Sequence, residues 1–228
     1  MCHERYGRDR THVPCTWETY RHLERVHCPT GFPRSGGYGG FEGGDGLNYG
    51  SPVISVARSQ PAELYEQRYP VRIRKFALRN DSGGAGRYRG GLGAEIELEM
   101  LAEEASISYI QDRGRFGPKG LYGGKDGARC AISVVHGSEV YISPHLTKDS
   151  NIPLRKGGVV KQLTPGGGGF GDPLERDVHA VKEDVLNEYV SRRSAREDYG
   201  VVFKDDSLEV DMEKTAELRH KLKPEAKD

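Results

Sequence analysis

Cysteine is scarce in this chain, tryptophan occurs once, and charge of neither sign is in excess. The four cysteines, Cys2, Cys15, Cys28 and Cys130, form no CxxC pair and are too thinly spread for a disulfide scaffold. A reducing cytoplasm is therefore the expected compartment. No run of about 18 apolar residues occurs, so no membrane-spanning helix is expected. No charged n-region followed by an apolar h-region opens the chain, and secretion is not indicated. Lys plus Arg and Asp plus Glu number 34 each, which removes the global electrostatic argument for a nucleic-acid partner. RNA recognition would further need aromatic platforms among the charges, and only Tyr88 and Phe116 sit there. Catalytic signatures are absent in the same way. There is no HExxH, no GxSxG elbow and no GxxxxGK[ST] phosphate loop. His136, His145, His179 and His220 show no i, i+4 pairing, so a complete metal site within this chain is not expected. Cys130 lies in a strand-like run, where a buried, inert thiol is the default.

What the chain has in abundance is glycine, 31 of 228 residues, where average usage of ~7% gives roughly sixteen. The glycines cluster in four blocks: GGYGGFEGGDGLNYG at 36–50, DSGGAGRYRGGLG at 81–93, RGRFGPKGLYGGKDGA at 113–128 and TPGGGGFGDPLERD at 164–177. Clusters of this kind between strand-like segments point to tight turns and close backbone approaches. Residues 71–78 are β-prone. In 94–101 the alternation is clean, with Ile96, Leu98 and Met100 on one face and Glu95, Glu97 and Glu99 on the other, as in an antiparallel strand with one wet face. Further strands are expected at 106–110, 130–135, 139–142 and 158–163, which gives a sandwich or barrel-like region over about 70–165. Helix signals follow the last glycine block. Asp177 can cap a helix whose apolar positions are Val178, Val181, Val185, Leu186 and Tyr189, Ser191 can cap a short one ended by Gly200, and a third spans about 212–222. The expected class is α+β: a glycine-rich, mainly antiparallel β region followed by two or three C-terminal helices.

The charged residues of the glycine blocks are the candidate contacts. Residues 68–93 hold seven basic side chains and one acid, and Arg87 and Arg89 stand beside bare backbone. Their guanidinium forks suit a carboxylate or a phosphate, and equally suit Glu95, Glu97 and Glu99 or an acidic partner. Arg113 and Arg115 flank the next block, with Lys119 and Lys125 beyond them, and Asp81, Asp126 and Asp172 complete the set of candidate substrate or inter-subunit contacts. Gly166, Gly168 and Gly171 formally satisfy GxGxxG, but Pro173, a late helix and an antiparallel context exclude a dinucleotide fold. A side-chain-free crossover, where another backbone comes close, is the expected role. Residues 1–35 read differently from the rest. Zinc binding by His12, Cys15, His27 and Cys28 fits no ribbon or finger spacing, and a poorly ordered leader is expected instead.

The block at 81–93, the loop at 113–128, the block at 164–177 and EYVSRRSAREDYGVVF at 188–203 resemble, in this order, the hydantoinase B/oxoprolinase family. That family includes the B-type half of N-methylhydantoinase, the C-terminal half of 5-oxoprolinase and the acetone carboxylase alpha subunit. The resemblance runs from about 36 to 222 and divides into a β-rich part (36–165), a glycine turn (166–171) and a helical part (174–222), before a charged tail (223–228). Members are several hundred residues longer on the N-terminal side, so the chain looks like a C-terminal piece, inactive in isolation. The resemblance implies an ATP-dependent cyclic amidase: an A-type subunit holds ATP and phosphorylates the ring carbonyl, and the B-type subunit completes ring opening. ATP then belongs to the partner, a divalent metal to the absent N-terminal part, and no cofactor to this chain alone. The substrate would be a small cyclic amide, or a ketone if the chain is acetone-carboxylase-like. Many members carry an HTHMTNT-like stretch whose two histidines fall on Ser51 and Val53 here, which leaves the subfamily open. A non-catalytic assembly module or truncated remnant is the remaining alternative.

Overall fold

The computed structural model describes residues 36–50, 61–205 and 207–223. The leader with His12, Cys15, His27 and Cys28, the positions Ser51 and Val53, and the end of the tail lie outside them. Strands β1 (Val71–Leu78), β2 (Ala94–Met100), β4 (Ala131–His136), β5 (Glu139–Tyr141) and β7 (Val159–Leu163) form one antiparallel sheet in the order β1-β2-β7-β4-β5. Strands β3 (Glu104–Ile110) and β6 (Lys148–Arg155) form a two-stranded antiparallel ribbon. The ribbon covers the inner face of the sheet. Tyr109, Ile152 and Leu154 from it are buried against Ile132, Val134, Cys130 and Val160, with Leu98 and Met100 of β2 at the margin.

The alternation in β2 is what orients this sandwich. Ile96 is 1% exposed and faces inward, while Glu95 and Glu99 face out toward Lys75 and Arg74 on β1 and Glu97 toward Lys161 on β7. The basic run before the second glycine block thus supplies Arg72, Arg74 and Lys75 to the outer face, paired with carboxylates across the strands.

Two elements depart from the expectation. A helix, α1 (Ala62–Arg68), precedes the sheet, whereas helix signals are read only after the last glycine block. It buries one residue, Tyr65, so it carries almost no apolar stripe to detect. Strand β6 also has no strand pattern in the sequence, because Pro153 interrupts it and Asn151 sits at φ +56. Pro153 is tolerated because β6 pairs only with β3, leaving the other edge free of ladder bonds.

The C-terminal helices are α2 (Val178–Leu186), α3 (Arg192–Glu197) and α4 (Met212–Leu222). Their starts are the expected ones: Asp177 accepts from the amide of His179 and Ser191 from that of Ser194, while Asp211 caps α4 through the amide of Lys214. After α3 the chain turns at Gly200, φ +64. Val181, Ala195, Tyr199 and Val201 close a second core, all at most 1% exposed, and it includes Ala85 of the glycine block. Each fully buried valine contributes on the order of 1.5–3 kcal/mol, so α2 is held to the glycine blocks by Val181 in particular.

Candidate functional site

The four glycine blocks meet between the two cores, and the 164–172 segment is their centre. In a pleated sheet a chain has two neighbours. This segment has three. Its carbonyls at Pro165 and Gly168 accept from Gly37 and Gly40 at 2.9 Å each. Gly167 donates to Gly91 and accepts from Gly84, both at 2.8 Å, and Gly169 donates to Lys125 and accepts from Leu121, both at 2.9 Å.

The packing explains why four glycines stand in a row. A Cβ on Gly166 would lie 1.8 Å from the Ser82 carbonyl oxygen, on Gly167 1.7 Å from that of Tyr38, on Gly168 2.1 Å from that of Lys119, and on Gly169 2.1 Å from that of Ala85. Successive residues thus face the second, first, third and again the second block. A strand buried on one face would need glycine at every other position. A segment walled by backbone on three sides needs it at each.

This arrangement also decides what the block can bind. A phosphate cradle presents unpaired amides, but Gly166, Gly167, Gly169, Phe170 and Gly171 donate to the carbonyls of Ala128, Gly91, Lys125, Tyr88 and Leu121. These five amides are not free to cradle a phosphate. The block is a crossover of backbones.

An ionic cluster, buried except at Asp45, locks α2 onto this junction. Arg176, 4% exposed, holds Asp45 through two 2.7 Å bonds and Asp184 through a third. Asp184, on the inner side of α2, also accepts from Nε of Arg89 at 3.2 Å, and the Arg89 guanidinium lies 5.1 Å from the Tyr189 ring centre. Asp45 receives the backbone amide of Arg89 as well, at 2.6 Å. Burial opposes ionisation of Asp45, yet the hydrogen bonds and charge of Arg176 and the contact from Arg89 outweigh it and hold the carboxyl below its ordinary value. Asp184 is more deeply enclosed, and burial pushes its carboxyl up against the pull of Arg89 and Arg176. Both carboxylates are already matched by guanidiniums, so they do not fit a divalent cation. Among the described residues no group of three or more His, Cys, Asp or Glu side chains is placed to hold one.

The seven candidate contacts separate into scaffold and surface. Asp81 accepts from the amide of Ser191 and so seats the start of α3. Arg89 is 4% exposed within the ionic cluster, where a ligand reaches it only by opening the network. Asp126 closes its own loop, binding Lys119 and the amide of Gly120. Asp172 caps the 3-10 turn Pro173–Glu175 through the amide of Leu174. Arg113, φ +65, gives its carbonyl to the amide of Cys130 and leaves its side chain exposed, and exposed Arg115 lies over Phe116. Arg87 stands exposed at the junction, its side chain 56% accessible, stacked on Tyr88 and only 3.8 Å from an equally exposed Glu175. Such a pair contributes little, so the guanidinium is available. Cys130 is buried, its Sγ 2.8 Å from Gln111, and burial pushes its thiol up to about 12 despite Arg79.

Sequence reasoning passed over Asp45, Arg176 and Asp184. A signal existed for the last: Asp184 falls three residues after Val181, on the apolar stripe of α2, and a charge on such a stripe marks a buried partner.

The described residues therefore define an α+β scaffold whose glycine blocks are built on backbone-to-backbone packing. The chain belongs to the hydantoinase B/oxoprolinase family, whose model matches residues 16–173 and so reaches into the segment before Gly36. It is 34% identical over 184 residues to the putative B-type subunit of a D-/L-hydantoinase from a Pseudomonas species, covering 81% of this chain and 31% of that one. The ATP-dependent caprolactamase of Pseudomonas jessenii has a similar structure (TM-score 0.66, 29% identity, 82% of this chain and 33% of the other). Nucleotide-free acetone carboxylase shares the fold (TM-score 0.68, 22% identity, 78% and 28%). The chain spans 28% and 31% of two curated relatives and about a tenth of the 5-oxoprolinases it matches, 9%, 11% and 8%. Among the described residues no helix is long and apolar enough to cross a membrane.

Proposed function

We propose that this chain is part of a B-type subunit of an ATP-dependent cyclic amidase, a ring-opening hydrolase of the N-methylhydantoinase or 5-oxoprolinase kind, working with an A-type ATP-binding subunit. The observation that carries this reading is the kinship with a B-type hydantoinase chain over 81% of the length. The glycine junction is consistent with it, since amides already engaged by protein carbonyls leave the nucleotide to another polypeptide. The chain's own contribution is a rigid scaffold and, at the junction, the exposed guanidinium of Arg87. Arg87 is the residue we assign to a substrate carboxylate, such as that of a five-membered lactam acid, because a fork-shaped donor beside a glycine wall can take it in two hydrogen bonds. Arg89 has the supporting role, holding the block that carries Arg87.

In the assembled complex, ATP turnover is expected to depend on a cyclic amide, 5-oxoproline or hydantoin, and Arg87→Ala to lower kcat/KM for the carboxylate-bearing amide by about 1.5–3 kcal/mol, the loss of a charge-assisted hydrogen bond. Steady-state ADP release measures both. Turnover that requires bicarbonate and a ketone instead would assign the chain to the acetone-carboxylase kind. Turnover in the complex that no such substrate elicits would leave a non-catalytic assembly module.

A further inference from the structure

The Arg87 guanidinium stands beside a carboxylate that the fold does not use. Glu175 Oε2 lies 3.8 Å from Arg87 Nη1, outside hydrogen-bond range, and among the described residues neither side chain makes a hydrogen bond. Both side chains are more than half exposed, so their pairing adds little to stability. The backbones that carry them are nevertheless fixed. The amide of Arg87 donates to the Gly171 carbonyl, and the Arg87 carbonyl accepts from Nη1 of Arg176, both at 3.2 Å. Glu175 lies in the 3-10 turn capped by Asp172, with its amide on the Asp172 carbonyl, and the next residue is Arg176 itself, buried in the ionic cluster. One arginine therefore ties down both carriers. Gly171, at φ +75, places no side chain over Arg87, where a Cβ would lie 3.0 Å from the Arg87 Cβ. The result is a donor edge and an acceptor edge held side by side, neither of them satisfied.

We infer that Glu175 is a specificity-determining residue of the proposed reaction, accepting a hydrogen bond from the ring N–H of a cyclic amide whose carboxylate is held by Arg87. The inference rests on the reading of the chain as part of a B-type subunit with Arg87 on the substrate carboxylate, and it states what else the substrate must carry. In a five-membered lactam acid the carboxylate sits on the carbon bonded to the ring nitrogen. Its oxygens and the N–H therefore project along one edge, acceptors beside a donor. Arg87 and Glu175 present the reverse, donors beside an acceptor. Their fixed backbones leave only side-chain rotamers to be ordered when the ligand arrives, which keeps the cost of binding low. The bond to Glu175 is charge-assisted because its acceptor is ionised. A site built to pair a substrate N–H rejects the analogue that lacks it, since the acceptor then faces a methyl group. The substrate class is thus narrower than cyclic amides at large: unsubstituted at nitrogen, with the carboxylate on the neighbouring carbon.

The test is steady-state ADP release by the assembled complex with 5-oxoproline and with its N-methyl analogue, in the unmodified chain, Glu175→Ala, Glu175→Gln and Arg87→Ala. The unmodified chain is expected to favour 5-oxoproline by about tenfold or more in kcat/KM, the worth of one charge-assisted hydrogen bond. Glu175→Ala is expected to bring that preference below about threefold, and Glu175→Gln, which keeps an acceptor oxygen, to retain most of it. Because Glu175 is exposed, all the variants are expected to fold as the unmodified chain does. An undiminished preference in Glu175→Ala, with Arg87→Ala still lowering kcat/KM for 5-oxoproline, overturns the role of Glu175 and leaves the Arg87 assignment standing. Equal use of the two substrates by the unmodified chain overturns it as well. No turnover with either substrate, or none that Arg87→Ala alters, overturns the underlying reading and this inference with it.

Discussion

Gly167→Ala is expected to lower the free energy of unfolding by more than about 4 kcal/mol, beyond the range of ordinary core overpacking. The added carbon would lie 1.7 Å from the carbonyl oxygen of Tyr38 and 2.2 Å from its carbon. Both are backbone atoms, so no rotamer change relieves the contact. Moving the segment away stretches the bonds from Gly37, Gly84 and Gly40 and the one to Gly91 together. Gly137→Ala is the control. It has φ +59 with nothing within 4 Å of the new carbon, so it registers only the left-handed conformation, about 1–2 kcal/mol. Urea denaturation of the two variants separates close approach from backbone conformation. A cost below about 2 kcal/mol at Gly167 would mean that the junction is loosely packed.

The second large effect is at Arg176. Arg176→Ala leaves Asp184 facing only Arg89 and removes both side-chain bonds to Asp45. Truncating one partner of a buried pair costs about 3–5 kcal/mol, roughly a fifth or more of a typical domain's stability. Arg176→Lys keeps the charge and loses the fork, so it should recover less than half of that loss. Thermal or urea unfolding of the two variants gives the comparison, and full recovery by lysine would show that charge alone, without the bidentate geometry, holds α2 to the junction.

Much of the fold was legible because its elements obey simple periodicities. The alternation of Ile96, Leu98 and Met100 against Glu95, Glu97 and Glu99 located the central strand and told its faces apart, and the caps at Asp177 and Ser191 located two helices. Helix α1 and strand β6 were not legible, since one buries a single residue and the other contains Pro153. The glycine blocks were legible as close approaches, but not which backbone approaches which, since glycine carries no side chain to encode a partner. The arginines show the same limit. Arg87 and Arg89, two apart, would share a face in a strand; in the junction the chain is not pleated, and one is exposed while the other is buried. The ionic cluster joins residues 45, 89 and the pair 176 and 184 from three separate stretches of chain. No local pattern records such a meeting.

The most direct test is amide hydrogen exchange at Gly166, Gly167 and Gly169, read by NMR with and without Mg-ATP. A closed backbone junction opens only with the fold, so protection of at least about 10³-fold is expected at all three, unchanged by nucleotide. Exchange within tenfold of the free-peptide rate, slowed when Mg-ATP is added, would identify an open phosphate-binding loop and contradict the account.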